Sequence, residues 1–261
     1  MRISKTQLKY IRSLSHKKAR EAERRFTLEG WRALKEAIAS SATMDLVAVL
    51  PRFLADPDYA KILRQLEERR IPVREISDAE LRLVADTVHA QGVLAVVHRP
   101  EPIVSDERLN RASLVVALDA VADPGNVGSI VRSADWFGVD LVLLGKGSVE
   151  LFNEKVIRST VGSVFHVPVV SGVDLSSTLR RMKQGGFFVM GLSGDAKRAY
   201  TDVAGRARMV ILLGSEGHGL SKEVRASADV IVQIPRFGKA ESLNVSVACG
   251  IVLSHFRTKN R

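Results

Sequence analysis

The sequence has a single cysteine, Cys249, which excludes a disulfide within the chain and fits a reducing cytoplasm, where the protein is expected. No apolar run approaches the roughly 20 residues that span a bilayer. The opening MRISKTQLKYIRSL lacks the uninterrupted apolar stretch of a secretory signal. Six scattered histidines show no structural-zinc spacing, and no metal is assigned. The common nucleotide fingerprints are missing too: there is no GxGxxG opening a helix after a first strand, and no GxxxxGK followed by Ser or Thr. A GxSxG nucleophile elbow is also absent. What remains is a globular chain, 46% apolar and 26% charged, long enough for one large or two modest domains.

Charge is abundant and unevenly placed. The net charge is +10, and residues 1–25 alone carry Arg2, Lys5, Lys9, Arg12, Lys17, Lys18, Arg20, Arg24 and Arg25 against Glu21 and Glu23. Such a local excess favours a polyanion through phosphate contacts and counterion release. The competing reading is a solvated helix face. A membrane surface fits less well, because the apolar stripe Leu8, Ile11, Leu14 is short and resembles packing surface. Lys9, Arg12, Lys17, Lys18, Arg20, Arg24 and Arg25 are therefore the candidate polyanion contacts of this segment.

Periodicity predicts a helix capped by Ser4 through the basic segment, then a strand FTLEG (26–30) and a helix with Trp31, Leu34 and Ile38 on one face. A strand (46–50), a helix (55–70), a strand (72–77), a helix capped by Asp78 (78–87) and a strand (92–100) complete a small α/β unit. The stretch 99–113, with Pro100 and Pro102, loses all apolar periodicity. The expected organisation is a domain over 1–100, a linker over 101–112 and a second domain over 113–261. In the latter, strands are predicted at 114–118, 139–145, 165–170, 187–191, 209–214 and 230–234, with helical stretches of about ten residues between them. Near-continuous apolar strands alternating with helices indicate a parallel sheet covered on both faces, a three-layer α/β/α sandwich.

Three polar patches follow strands of this domain. In LDAVADPGNVGSIVRSADWFG (118–138), Asn126 is the expected cap of a helix carrying Arg132; an exposed arginine on a purely structural helix is the alternative. GSEGHG (214–219) places Glu216 between glycines that permit close ligand approach. As an isolated string it equally describes a tight turn. In ESLNVSVACG (241–250), Ser242, Asn244 and Ser246 head an apolar helix and suit ribose or phosphate recognition. Loops at the carboxyl ends of parallel strands are where open α/β sheets bind ligands.

Order and spacing of the three patches resemble the signature motifs of the SpoU/TrmH class of SPOUT RNA ribose methyltransferases. These are N-x-G-x-x-x-R-x-A from Asn126 to Ala134, G-x-E-x-x-G from Gly214 to Gly219, and I-P-x-x-G-x-x-x-S-L-N-x-S-x-A from Ile234 to Ala248. The stretch 153–169, with Arg158, Gly162 and Ser163, resembles the family as well. The first hundred residues are similar to the ribosomal-protein-like substrate-binding domain often fused ahead of it, notably at RRFTLEG (24–30) and QGVLAV (91–96).

The resemblance implies a C-terminal trefoil knot, S-adenosylmethionine as cofactor, and a homodimer whose active site is completed across the interface. It implies that Leu213, Gly214, Glu216, Gly219, Ile234 and Leu243 bind the cofactor. Asn126, Arg132, Glu216, Ser242 and Asn244 would surround the transferring methyl and the incoming ribose. Family proposals make the motif-one arginine the general base, but a guanidinium is charged and has no acceptor. Arg132 is preferred here as a clamp on RNA phosphate, with the base left open. Two departures stand out: Arg236-Phe237 after Ile234-Pro235, where a methionine is frequent, and His218, where a basic residue is common. Both are candidates to tune RNA preference. The implied activity is methylation of a ribose 2′-hydroxyl, in large-subunit, 23S-type rRNA by analogy with the fused N-terminal domain. A tRNA ribose methyltransferase and a non-catalytic RNA-binding protein of the same fold are the alternatives.

Overall fold

The computed structural model describes residues 1–85, 91–100 and 103–259. In chain order its elements are α1 (Lys5–Ser13), α2 (Lys17–Glu23), β1 (Arg25–Glu29), α3 (Trp31–Ala39), β2 (Met44–Val49), α4 (Pro51–Leu54), α5 (Pro57–Glu68), β3 (Val73–Glu75), α6 (Asp78–Val84), β4 (Val93–His98), α7 (Asp106–Arg111) and β5 (Leu114–Asp119). There follow α8 (Pro124–Trp136), β6 (Leu141–Gly145), α9 (Glu154–Thr160), β7 (Val169–Val173), α10 (Leu175–Gln184), β8 (Phe188–Leu192), β9 (Arg198–Ala199), β10 (Met209–Gly214), α11 (Lys222–Arg225), β11 (Val230–Gln233) and α12 (Val245–Lys259). They form two compact units, Met1–Pro100 with Phe152–His166, and Glu101–Leu151 with Val167–Arg261.

The first unit is built on a four-stranded sheet of order β1-β4-β2-β3, antiparallel except for the β2/β3 pair. One face packs Leu46, Ala48, Leu94 and Val96 against Ile11 and Leu14 beside α1 and Leu81 of α6. Ser4 caps α1 in a reciprocal box with Gln7. The single basic helix expected is two. Arg20, only 3% exposed, donates to Leu14 O (2.8 Å) and Ser15 O (2.7 Å), satisfying carbonyls left open where α1 ends. Ser77, not Asp78, caps α6: its hydroxyl accepts from Glu80 N, and the Glu80 carboxylate accepts from Ser77 N. The last residues expected in that helix, 86–87, lie outside the described residues.

Residues 152–166, expected in the second domain, belong to this first unit. The Phe26 ring of β1 lies 5.0 Å from Phe152 and 6.3 Å from Phe165, and Thr27 donates to Glu154 (3.2 Å). Such an allegiance is a long-range packing choice with no local signature.

The second unit is a seven-stranded parallel sheet of order β7-β6-β5-β10-β8-β11-β9. Val115, Ala117, Leu141, Leu143, Val210 and Leu212 turn one face to Leu179 and Met182 of α10 and Val224 of α11. The intervening residues, among them Val116, Leu118, Val142 and Ile211, are equally buried on the opposite face. There α12 packs along α8 and against β10. Each fully buried aliphatic side chain contributes roughly 1.5–3 kcal/mol, so covering both faces requires the apolar strand runs seen in the sequence. Helix α7 occupies part of the stretch expected as linker. Strand β7 starts at Val169, later than expected, because Pro168 offers no N–H to a ladder and residues 163–165 form a 3-10 turn.

From β5 the chain steps outward to β6 and β7, then returns to lay down β8 on the other side. Strand β10 enters between β5 and β8. The sheet therefore changes direction at β5/β10, and the loops after β5, β8, β10 and β11 leave from neighbouring carboxyl ends.

Candidate active site

Helix α8 begins at Pro124, and its cap is Asp123, whose Oδ1 accepts from Asn126 N (2.8 Å). This corrects the expectation that Asn126 is the cap, and the consequence is chemical. With the backbone satisfied by Asp123, the Asn126 carboxamide is available for long-range contacts. It donates to Glu216 Oε1 (2.6 Å) and accepts at Oδ1 from Asn244 Nδ2 (2.9 Å). Three patches separated by 90 and 118 positions thus meet in one hydrogen-bonded chain.

Each member is fixed by its own loop. Asn244 caps α12, accepting at Oδ1 from Ser246 N (2.9 Å), Ser246 Oγ (2.6 Å) and Val247 N (3.3 Å), which leaves its amide nitrogen to reach Asn126. Glu216 stands in a turn closed by paired backbone bonds between Ser215 and Gly219 (3.0 and 2.9 Å) and by Ser215 Oγ accepting from His218 N. Gly219 adopts φ +66° to make that turn. Its exit is pinned by Asp119 at the end of β5, 8% exposed, whose Oδ2 accepts from Ser221 N (2.7 Å).

Gly214 shows how tight this corner is. A Cβ there would lie 2.1 Å from the Gly219 carbonyl carbon and 2.3 Å from Leu220 N. The end of β10 and the returning loop are thus packed backbone to backbone. By contrast, Gly194, Gly217 and Gly238, in the loops after β8, β10 and β11, have open space where a side chain would project. A wall of backbone groups bordered by open glycine positions fits an extended ligand held by main-chain hydrogen bonds, as the resemblance implies for S-adenosylmethionine. Leu213 is buried at the end of β10, Ile234 is half-buried, and Ser242 and Leu243 are exposed in the loop leading to α12.

The loop after β8 is a part of the crevice that the three motifs do not include. Strand β8 lies between β10 and β11, so Ser193, Gly194 and Asp195 leave the sheet beside the other two loops. Arg225 secures them, donating to Ser193 Oγ (3.0 Å) and Asp195 Oδ1 (3.1 Å). Hydrogen bonds from Ser193 and Arg225 hold the Asp195 carboxyl below the ordinary carboxylate value. The available signal was the same as for GSEGHG, a glycine just after an apolar strand.

Arg132 is exposed on α8, six residues beyond Asn126. At about 100° per residue, that places it roughly 120° around the helix from the carboxamide, off the face that meets Glu216 and Asn244. Among the basic candidates, Lys9, Arg12, Lys17, Lys18 and Arg24 are exposed. Arg20 must be corrected: it is buried in carbonyl capping and unavailable to RNA. Arg25 is committed to an ion pair, its Nε 2.6 Å from Asp45 Oδ2, while His98 Nε2 lies 2.7 Å from the other oxygen. Among the described residues no three His, Cys, Asp or Glu converge to hold a metal.

The SpoU rRNA Methylase family profile matches residues 113–254, and the MRM3-like substrate binding domain profile matches residues 5–95. The 23S rRNA (guanosine(2553)-2′-O)-methyltransferase RlmP of Bacillus subtilis is 34% identical over 246 residues, covering 94% of both chains. An AdoMet-bound rRNA methyltransferase of Sinorhizobium meliloti superposes with TM-score 0.84 at 26% identity, over 98% of this chain and 96% of that one. A solved RNA 2′-O ribose methyltransferase superposes with TM-score 0.83 at 27% identity, over 100% and 98%. With both matched segments in place and a relative of this identity running almost end to end, the chain belongs to the SpoU rRNA methylase family.

Proposed function

We propose that the protein is an S-adenosylmethionine-dependent RNA methyltransferase that methylates a ribose 2′-hydroxyl, in large-subunit rRNA of the 23S type. The observation that carries this reading is the bonded set Asn126, Glu216 and Asn244, which follow the carboxyl ends of β5, β10 and β11. Family membership, the end-to-end similarity to an rRNA enzyme and the substrate-binding segment support it.

S-adenosylmethionine supplies an electrophilic methyl on a sulfonium. The protein's task is then largely positioning, because displacement by a hydroxyl needs nucleophile and carbon held in line. Backbone groups of Leu213, Gly214, Gly219, Ile234 and Leu243 bind the cofactor, and Ser193 and Gly194 extend that wall. The Glu216 carboxylate and the carboxamides of Asn126 and Asn244 orient one another and face the ribose, with Ser242 at the loop entrance. Arg132 clamps RNA phosphate: a guanidinium donates in a planar fork and offers no acceptor for the hydroxyl proton.

The active species in this reading is a homodimer. Arg132 faces away from the Asn126 carboxamide on its own helix, which suits service to a partner's site. Trp136 of α8 is 84% exposed, and Leu243 and Val247 are each 49% exposed, leaving apolar surface near these motifs. The Trp136→Glu variant is expected to sediment as a monomer. A C-terminal trefoil knot also belongs to the reading, supported by membership of the SpoU family. A cytoplasmic location also belongs to the reading, supported by the single cysteine, Cys249, which allows no disulfide within the chain.

Labelled methyl transfer from S-adenosylmethionine to purified rRNA and tRNA tests the proposal. Label is expected in rRNA, falling about 100-fold or more in Arg132→Ala. Label in tRNA alone would move the substrate assignment, and label in neither, with no cofactor binding, would leave an RNA-binding protein of this fold.

A further inference from the structure

Phe237 is 99% exposed, in the middle of a loop of which the proposed chemistry uses only the two ends, Ile234 and Ser242 to Asn244. The loop runs from β11 to α12 and is anchored at both ends. Gln233 pairs with Ala199 in the sheet, and Asn244 is bonded to Asn126 in the active-site cluster. Between these anchors, Arg236 Nη1 donates to Ala240 O (3.2 Å), closing a short arch that carries Phe237 and the open Gly238 at its tip. The neighbours are Pro235, Arg236, Gly238 and Lys239, all exposed. Phe237 therefore contributes nothing to the core of its own subunit.

Its surroundings identify the occupant. A protein-binding patch needs contiguous apolar area with charge depleted at its centre, and this aromatic is flanked by two cations on a glycine-containing arch. An aromatic ring beside Arg and Lys is the element that binds unpaired nucleotides: the ring stacks on a base and the cations meet the phosphates. Phe237 and Asn244 are seven positions apart, a reach of at most roughly 25 Å, and the Arg236 to Ala240 bond shortens the path, so the base concerned lies within a few nucleotides of the modified ribose.

We propose that Phe237 is a specificity-determining residue that stacks on an unpaired RNA base within a few nucleotides of the target, with Arg236 and Lys239 against the adjacent phosphates. This inference rests on the reading of the protein as an RNA methyltransferase. On that basis Phe237 governs RNA engagement and leaves the cofactor alone.

The test compares wild type with Phe237→Ala, Phe237→Leu and Phe237→Tyr. It reads KM for large-subunit rRNA, kcat, S-adenosylmethionine affinity by calorimetry, and sedimentation. The Ala and Leu variants are expected to raise KM for RNA by about 5- to 150-fold, with cofactor affinity and oligomeric state unchanged. Tyr should restore the wild-type value, since it keeps the ring that Leu lacks. Wild-type KM in the Ala variant would overturn the stacking role, as would Leu performing like Phe. A change of oligomeric state in the Ala variant would assign Phe237 to a contact between copies of the chain and overturn it too. Absence of methyl transfer by the wild type would overturn the underlying enzyme reading and the stacking role with it, whereas failure of the stacking role alone leaves wild-type transfer intact.

Discussion

The two ends of the parallel sheet use polar residues in opposite ways. At the amino-terminal end they are spent on closing the fold. Asp140 accepts from Ser113 N (2.8 Å), Ser113 Oγ (2.9 Å) and Leu114 N (2.9 Å). Arg208 donates to the carbonyls of Leu109, Ala112 and Gly185, and Arg257 to those of Phe137 and Gly138. At the carboxyl end, Asn126, Glu216 and Asn244 bond to one another across long sequence separations while glycines keep the surrounding backbone open. A cavity of about 390 Å³ lies at the amino-terminal end, lined by Ser113, Arg206, Met209, Phe256 and Arg257.

The largest effect is expected from Gly214→Ala. Its Cβ would meet the backbone of Gly219 and Leu220 well inside contact distance, so the β10 corner must open. Even a displacement near 1 Å at a positioning site costs about 100-fold. Calorimetry should show weakened cofactor binding, and methyl transfer should fall by about 100-fold or more. Wild-type affinity in this variant would break the contrast between the two ends.

Asp140→Ala probes the other end and should do the reverse, lowering stability by about 1–2 kcal/mol, given partial exposure, with kcat/KM unchanged. Burial pushes the Asp140 carboxyl up, but hydrogen bonds from Leu114 and Ser113 and the nearby Arg257 charge outweigh it, leaving it below the ordinary value. A folded-state value depressed in this way gives stability that is complete above the unfolded carboxylate value, near 3.9. That stability is lost as pH falls through the lower folded one. The melting-temperature gap between wild type and Asp140→Ala should therefore persist to about pH 4 and close at lower pH.

The smallest effect is expected in the basic segment. Replacing Lys17 and Lys18 with glutamine should weaken RNA binding and reduce the salt slope by about 1 for each phosphate no longer neutralised, with the melting temperature unchanged. Arg20→Ala should instead lower the melting temperature, because it strips the Leu14 and Ser15 carbonyls of their buried donor.

The contrast between Lys17 and Arg20 also marks what a sequence can disclose. Composition shows a basic segment, but the break after Ser13 that turns Arg20 inward depends on packing against the first sheet. Strand β10 was legible to the residue and β5 to within one, since a strand buried on both faces must be apolar throughout. The three motifs were legible as patches, and their order pointed to one family. The bond between Asn126 and Glu216 was not, because it depends on Asp123 taking over the cap and on β10 lying beside β5. The packing of Phe152 and Phe165 was hidden for the same reason: their partner, Phe26, lies more than a hundred residues away.

The most direct test of the central claim is the position of the transferred methyl. A methylated 2′-hydroxyl can no longer attack its own phosphodiester, so rRNA labelled by the protein and hydrolysed in alkali should yield the label in a resistant dinucleotide. Label released as a mononucleotide, as a methylated base would be, would contradict ribose methylation at the Asn126, Glu216 and Asn244 site.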